Sequence, residues 1–352
     1  MVLADIGDAG HEQVSYSTDP ETGLRAIVAV HDTTLGPGLG GTRILDCDTE
    51  DNALEDVLRL SRAMTYKAAA ADLPLGGAKA VVLGDPDETK SESLLEAYGR
   101  AVDCMAGRYI TSVDVNTTVA DMDVVKRATD NVVGTSDGLG SASPITAHGV
   151  FHGIRACAEH VYGTDSPGDL DVVIQGVGKV GRSLAEELLD HGTSVAVSDV
   201  DRDAVEAFAA EHDVETVAPD EVYERSCDVF APCAVGGVIN DDTVPELDCD
   251  VVAGGANNVL AERRHAGALR ERGILYAPDY VINAGGLITV AKDHFGGTRE
   301  EAYEEAEAIG DRLLEMIERA EARDTTVLAA AEAYAEERIE AAESHATAVP
   351  EP

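Results

Sequence analysis

Lysine is scarce in this sequence, and two of its six copies, Lys67 and Lys79, lie twelve positions apart in apolar or glycine-rich surroundings. An arginine would serve for a surface charge, whereas a lysine can shed its proton near neutral pH and act as a base. One ammonium beside another depresses the pKa of at least one, and enclosure with a substrate would strip water from both. Two incidental lysines with buried stems are the plainer alternative.

A second constellation is Gly176-x-Gly178-x-x-Gly181 within DLDVVIQGVGKVGRSLAEELLDHGTSVAVSDVD. Alone, such a run says little, but its setting is the one a dinucleotide loop needs. An apolar strand precedes it, an amphipathic helix carrying Val180, Leu184 and Leu188 follows, Gly192 closes that helix, and a second apolar strand ends at Asp199. Gly176 permits the tight turn, Gly178 lets the backbone approach a pyrophosphate, and Gly181 allows close helix–strand packing. The pyrophosphate would rest on the helix N-terminus, which makes Gly176, Val177, Gly178, Lys179, Val180 and Gly181 the cofactor-binding stretch. Asp199 is placed to accept from both ribose hydroxyls and would repel a 2′-phosphate, so NAD is expected. Arg202 nearby keeps a case for NADP, and a glycine turn without coenzyme is the remaining reading.

The elements that position these groups follow from periodicity. Residues 24–32, LRAIVAVHD, alternate like a strand, and TRIL at 42–45 is another. Thr49 reads as the N-cap of a helix over roughly 50–71. Its apolar positions Val57, Leu60, Met64 and Ala71 keep 3–4 spacing and Lys67 falls in the series, a costly place for a charge that nothing uses. The loop DLPLGGA then leads to Lys79, which opens the strand AVVLGD. A helix over about 91–106 and the strand YITSV reach Asp114, Thr117 or Thr118 starts another helix, and Ser143-Pro144 starts one that runs to about Tyr162. From residue 170 the strands VVIQ, VAVSD, DVFAP, DVVAGG and ILYAP alternate with helices, the pattern of a parallel doubly wound sheet. Roughly the last 70 residues read as helical and without further chemistry.

At 352 residues and 44% hydrophobic content the chain has material for two ordinary domains. The expected fold class is α/β, with an N-terminal α/β substrate domain, a Rossmann-type doubly wound parallel sheet, and a cleft between them. No apolar stretch approaches a membrane span. The opening MVLADIGDAGHEQ lacks the basic and apolar regions of a signal peptide, so a cytoplasmic protein is expected. Six cysteines, Cys47, Cys104, Cys157, Cys227, Cys233 and Cys249, form no Cys-x-x-Cys pair and read as reduced core thiols, with no metal site. The net charge of −41 is spread through helical stretches such as TREEAYEEAEAIGDRLLEMIERAEARD rather than gathered in a tail. Such a surface suits very high salt, where screening makes self-repulsion tolerable, and it disfavours nucleic acid and anionic membranes as partners.

The segments GPGLGGTRIL, LSRAMTYKAAAADLPLGGAKAVVLGDP, RYITSVDVNTT, SPITAHGV, QGVGKVG, APCAVGGVIND, AGGANN and YAPDYVINAGG occur in order over about residues 25–340. In them the chain resembles the Glu/Leu/Phe/Val dehydrogenase family, and most of all its leucine-specific branch. The resemblance implies NAD-dependent oxidative deamination of an L-amino acid to its 2-oxo acid and ammonia, with reductive amination as the reverse. It implies that Lys67 binds the substrate carboxylate, Lys79 is the general base and Asp114 shuttles a proton to and from the amino group. Read alone, Asp114 is equally a turn aspartate before Thr117. Asn257 and Asn283 match positions near the nicotinamide and substrate, though as bare sequence each could be a turn or cap asparagine.

Leu39, Gly40, Ser112, Leu287 and Val290 match the substrate pocket. Leu39 stands where glutamate-specific relatives carry a lysine, so an apolar, branched-chain side chain is the expected guest. Three residues depart from the leucine-enzyme pattern: Val113 replaces an acidic residue, and Asn116 and Ala78 each replace a glycine. The implied domains are 1–133 for substrate binding and oligomerisation, joined by a C-terminal helix 330–352, and 134–329 for NAD, in a homo-oligomer. A glutamate dehydrogenase with a displaced carboxylate partner, or a catalytically idle NAD-binding regulatory subunit, are the competing readings; intact Lys67, Lys79 and Asp114 argue against idleness.

Overall fold

A computed structural model describes residues 6–348 apart from Asp8 and Asp48. Residues 1–5 and 349–352, part of the opening segment and of the helix expected to reach 352, lie outside the described residues. Two compact units divide the chain, one formed by Met1–Gly140, Val290–Thr298 and Ala335–Pro352, the other by Ser141–Thr289 and Arg299–Tyr334.

The first unit is built on a mixed sheet of β1 (Gln13–Asp19), β2 (Leu24–Asp32), β3 (Gly38–Leu45), β4 (Gly76–Leu83) and β5 (Tyr109–Val113). Their order is β1-β2-β4-β3-β5, with β3 parallel to both neighbours and β2 antiparallel to both of its own. Strand alternation divides the two faces. Ile27, Ala29 and Val81 point to one side and pack under α1 (Glu50–Ala70) through Ala53, Leu54, Val57 and Leu58. Ala26, Val28, Ala78, Ala80 and Val82 point to the other, where Leu94, Tyr98 and Val102 of α3 (Glu92–Asp103) cover them after the short α2 (Pro86–Thr89). Met122 and Val125 of α4 (Val119–Lys126) join that layer, and the expected Thr118 start is a full capping box with Asp121.

The second unit carries a six-stranded sheet of β6 (Asp171–Gln175), β7 (Ser194–Ser198), β8 (Glu215–Thr216), β9 (Cys227–Pro232), β10 (Cys249–Val252) and β11 (Leu275–Tyr276). All its pairings are parallel, and the order β11-β10-β9-β6-β7-β8 is the 3-2-1-4-5-6 arrangement of a doubly wound sheet. The intervening and following helices are α5 (Ser143–Tyr162), α6 (Lys179–Asp190), α7 (Arg202–His212), α8 (His265–Glu271), α9 (Asp279–Ile282), α10 (Gly285–Phe295), α11 (Arg299–Ala322) and α12 (Val327–Ala348). Glycines let α5 and α11 approach closely: a Cβ on Gly149 would lie 2.5 Å from Ile309 Cδ1, and one on Gly310 would lie 2.9 Å from the His152 carbonyl oxygen.

Several expectations need correction. The first unit extends to Gly140 rather than 133, because Gly134 N–H donates to Asp293 at 3.3 Å and Lys126 grips Asp137 at 2.8 Å. Residues 290–298 also belong to it, and α12 changes units at 334/335 rather than near 330. Both α10 and α12 run unbroken across a unit boundary, so helical periodicity carried no sign of the division. β3 starts at Gly38, four residues before TRIL, because backbone pairing on both sides carries the glycines that β-propensity had discounted. β1 was not anticipated. None of the six cysteines is in a disulfide; Cys157 is buried, Cys47, Cys227 and Cys249 pack half-buried against the hydrophobic clusters, and only Cys104 is exposed, which departs from the expected core placement. No described helix is long and apolar enough to cross a membrane.

Candidate active site

In the first unit, register fixes which residues share the α1 face of the sheet. Leu39 and Gly41 pair with Ile110 and Ser112 of β5, and Leu39 also pairs with Gly77 of β4. Two residues beyond Gly77 comes Lys79, which lies opposite Ala29 on β2. Lys79 is 7% exposed, and its ammonium forms an ion pair with Oδ2 of Asp114, one residue past β5. Arg43 donates from Nε to the same Oδ2 at 2.9 Å and from Nη1 to Asp56 at 3.1 Å. The turn that aims Asp114 is fixed by Thr117, whose Oγ1 accepts from the Asp114 N–H at 2.8 Å and donates to the Thr42 carbonyl at 3.0 Å.

The electrostatics of the pair are opposed. Burial pushes the Lys79 ammonium below the ordinary lysine range, and Asp114 pulls it back without fully compensating. Burial would raise Asp114, but Lys79 and Arg43 outweigh it and hold the carboxyl below the usual aspartate range. A buried amine nearer neutrality, touching a carboxylate, can pass a proton either way.

Lys67 occupies the last turn of α1, capped as expected by Thr49. It is half-buried rather than on the core stripe: the buried line runs through Ala53, Leu54, Val57, Leu58, Ser61, Thr65 and Ala68, and Met64 and Lys67 lie on its flank. Gly77 seats the helix on the strand, since a Cβ there would lie 2.1 Å from the Thr65 nitrogen and 2.4 Å from the Ser61 carbonyl oxygen. Arg338, from α12, donates to the carbonyls of Ala69 at 3.2 Å and Leu73 at 3.1 Å and pairs with Asp72 at 3.3 Å, so it secures the end of α1 just beyond Lys67.

Leu39 and Ser112 are buried neutral positions on the same face, and Gly40 is close-packed, its would-be Cβ 1.7 Å from the Ala78 carbonyl oxygen. The three departures lie off this constellation. Ala78 faces the α3 side, Val113 is partly exposed at the opposite parity to Asp114, and Asn116 adopts φ +60°, where its amide donates to Ile44 O at 2.9 Å. Asparagine tolerates that left-handed backbone better than other side-chain-bearing residues, which explains its exchange with glycine.

In the second unit the glycine loop joins β6 to α6. Gly176 has φ +108° and faces Ala234, and a Cβ on Gly181 would lie 1.9 Å from the Gly176 carbonyl oxygen. Gly178 differs: no protein atom lies within 4 Å of a Cβ placed there. It is the N-cap of α6 with no side-chain cap, so no contact within the protein requires glycine at 178. Val177 is buried, Lys179 exposed and Val180 half-buried over Gly255. Asp199 follows β7 and accepts from Val177 N–H at 2.7 Å, which ties the acidic residue to the loop.

Asn283 is buried and donates to the Ala256 carbonyl at 3.1 Å and to Oδ1 of Asn257 at 2.9 Å, so these two predicted residues meet, with Asn257 exposed. Leu287 is buried in the second unit and Val290, three residues on, is half-buried in the first. Sequence reading missed Arg43, Asp56, Thr117 and Arg338. Arg43 was findable, since a charge inside an apolar strand at the parity of Leu39 needs a buried partner.

The second unit thus carries a Rossmann-type doubly wound sheet with a glycine turn after its first strand, and the first unit carries a lysine–aspartate ion pair. Comparison with known proteins places these features in a family. The family model described as "Glu/Leu/Phe/Val dehydrogenase, dimerisation domain" matches residues 11–131, and "Glutamate/Leucine/Phenylalanine/Valine dehydrogenase" matches 200–348. Leucine dehydrogenase of Bacillus cereus is 47% identical over 332 residues, covering 94% of this chain and 91% of its own. Phenylalanine dehydrogenase of Caldalkalibacillus thermarum is 43% identical over 94% of this chain and 91% of its own. The crystal structure of L-tryptophan dehydrogenase from Nostoc punctiforme superposes with a TM-score of 0.90 at 42% identity, covering 98% of this chain and all of that one. The chain belongs to the Glu/Leu/Phe/Val dehydrogenase family and is an amino-acid dehydrogenase.

Proposed function

We propose that the enzyme deaminates L-amino acids with apolar, branched-chain side chains to their 2-oxo acids and ammonia, uses NAD, and runs the reverse amination. The observation that carries this reading is the ion pair of buried Lys79 with half-buried Asp114 on the face that also bears Leu39 and Ser112. Lys67 holds the substrate carboxylate, which is a positioning contribution. Bound NAD supplies the acceptor for the hydrogen leaving Cα with its electron pair. Lys79, as the neutral amine, takes a proton from the water that adds to the resulting iminium carbon. Asp114 returns a proton to the departing amine, and the carbinolamine collapses to the 2-oxo acid and ammonia.

Leu39 favours an uncharged side chain, because a carboxylate set against it would lose its hydration without a partner. Names of relatives span leucine, phenylalanine and tryptophan dehydrogenases, which fits an apolar guest of undetermined size. Asp199 supports NAD over NADP, since a 2′-phosphate beside it would meet like charge. Gly176 to Gly181 would hold the pyrophosphate, and Asn257, ordered by Asn283, would contribute to holding the nicotinamide end. The match of residues 11–131 to a dimerisation domain supports a homo-oligomer.

Lys79→Ala tests the assignment. Reduction of NAD with leucine should fall by about 10²–10⁴-fold while NAD binding, followed by fluorescence titration, stays near that of the parent. Turnover that survives would remove Lys79 from the mechanism, and a substrate panel in which glutamate outperforms leucine would overturn the pocket reading.

A further inference from the structure

The second unit holds a cluster that the reaction does not use. His148 and His152 stand one turn apart on α5, in the stretch HGVFH, and Glu307 of α11 faces them; one ligand atom from each lies within 4.8 Å of the others. The sequence reading expected no metal and passed over this spacing, although two histidines at i and i+4 share a helix face. The His148 ring also touches His152 edge-on at 4.6 Å and Tyr303 at 5.1 Å, so its orientation is fixed.

The two ring nitrogens of His148 are in different situations. Nδ1 donates to Oε1 of Glu187 on α6 at 2.5 Å. In the neutral ring that bond leaves the Nε2 lone pair outward, the arrangement by which a carboxylate orients a metal-binding imidazole. Nε2 is sealed from solvent and makes no hydrogen bond, yet it faces Oε1 of Glu307 at 3.5 Å. Two electron-pair donors pointed at each other in a partly desolvated place repel unless something positive lies between them. Donors about 2.0–2.2 Å from a tetrahedral ion are about 3.4 Å apart, close to the 3.5 Å between His148 Nε2 and Glu307 Oε1.

We propose that His148 Nε2, His152 and Glu307 form a binding site for a divalent transition-metal ion of the zinc type, with Glu187 as the carboxylate that orients His148. Imidazole and carboxylate donors suit such ions, and Glu307, about half exposed, leaves a side open to water as a fourth ligand. The ion would join α5 to α11 where glycines already bring the helices close. Burial and His148 hold His152 below the ordinary imidazole range. His148 itself is the contested group: burial lowers it, but Glu187 and Glu307 outweigh burial and raise it. A proton is therefore the competitor for the place of the metal.

The test uses the full chain without an affinity tag, stripped with chelator and titrated with zinc or cobalt(II) at pH 7.5. Saturable uptake of one ion per chain, a raised Tm, and intense visible bands of four-coordinate cobalt are expected. His148→Gln or Glu307→Gln should weaken binding by on the order of 100-fold or more, and Glu187→Gln, which keeps every ligand, by about 10–100-fold. Glu307→Gln changes a half-exposed side chain and serves if the histidine variant folds poorly. Amino-acid deamination by these variants should match the parent. The proposal fails if the stripped parent shows no saturable binding. It fails equally if the folded variants bind as the parent does, which would shift the ion to Asp241, Glu262 and His265. A Tm that follows pH alone, with no effect of metal, would identify a protonated His148 between two carboxylates instead.

Discussion

Lys79 is held between two opposed influences, burial that favours the neutral amine and an aspartate that favours the ammonium. The sign of one substitution follows. Asp114→Asn removes the influence that raises the lysine, so the acid limb of kcat/KM against pH should move to lower pH. Loss of the proton carrier proposed for the reaction should at the same time cut kcat by about 10²–10⁴-fold. A pH–rate profile with leucine checks both, and an unmoved limb would show that Asp114 does not set the proton affinity of Lys79. At this scale the sequence was informative where chemistry is rare. Lys79 and Asp114 were visible because lysine is scarce and because the segments around them resemble a known family. Arg43 was signalled only by its charge within an apolar strand, and the bond from Thr117 to the Thr42 carbonyl was not legible at all, since it depends on which strand lies beside which and no local pattern states that β3 runs between β4 and β5.

Among elements, the contact between α1 and β4 decides how Lys67 stands to the sheet. Gly77→Ala puts a methyl within 2.1 Å of the Thr65 nitrogen, a backbone atom of α1 that cannot swing aside. Overpacking of this kind costs about 1–3 kcal/mol, and the displaced helix end should also raise KM for the amino acid; urea unfolding and steady-state kinetics measure the two effects. Gly178→Ala is the contrasting case, because its methyl meets open space. It should leave stability unchanged and weaken NAD binding, and a loss of stability there would remove the argument that glycine at 178 serves a phosphate. Caps and helix starts were legible at this scale, Thr49 and Thr118 among them, because a cap is a local bond between neighbours in sequence. The stripe of α1 was misplaced by one flank. Small buried residues such as Ser61 and Thr65, which seat the helix on Gly77, do not read as apolar.

For the whole molecule, the net charge of −41 sets the response to salt. Raising potassium chloride from about 0.1 M to about 1 M shortens the Debye length from about 10 Å to about 3 Å and should screen mutual repulsion of the carboxylates. Tm is expected to rise, as thermal unfolding followed by circular dichroism would show; a fall would mean that attractive ion pairs outweigh the repulsion. The α/β class and the parallel second sheet were legible from the alternation of strands and helices. The division into units was not, because α10 and α12 each pass from one unit to the other without a break in periodicity.

Arg338 closes on the carbonyl of Leu73 from 265 residues further along the chain. A ribosome adding about 5–20 residues per second needs roughly 13–50 s to cover that stretch. During that interval the nascent first sheet can pair, but the turn after Lys67 has no guanidinium to hold it. The end of the helix that bears Lys67 thus gains its clamp only after the whole of the second unit has been synthesised.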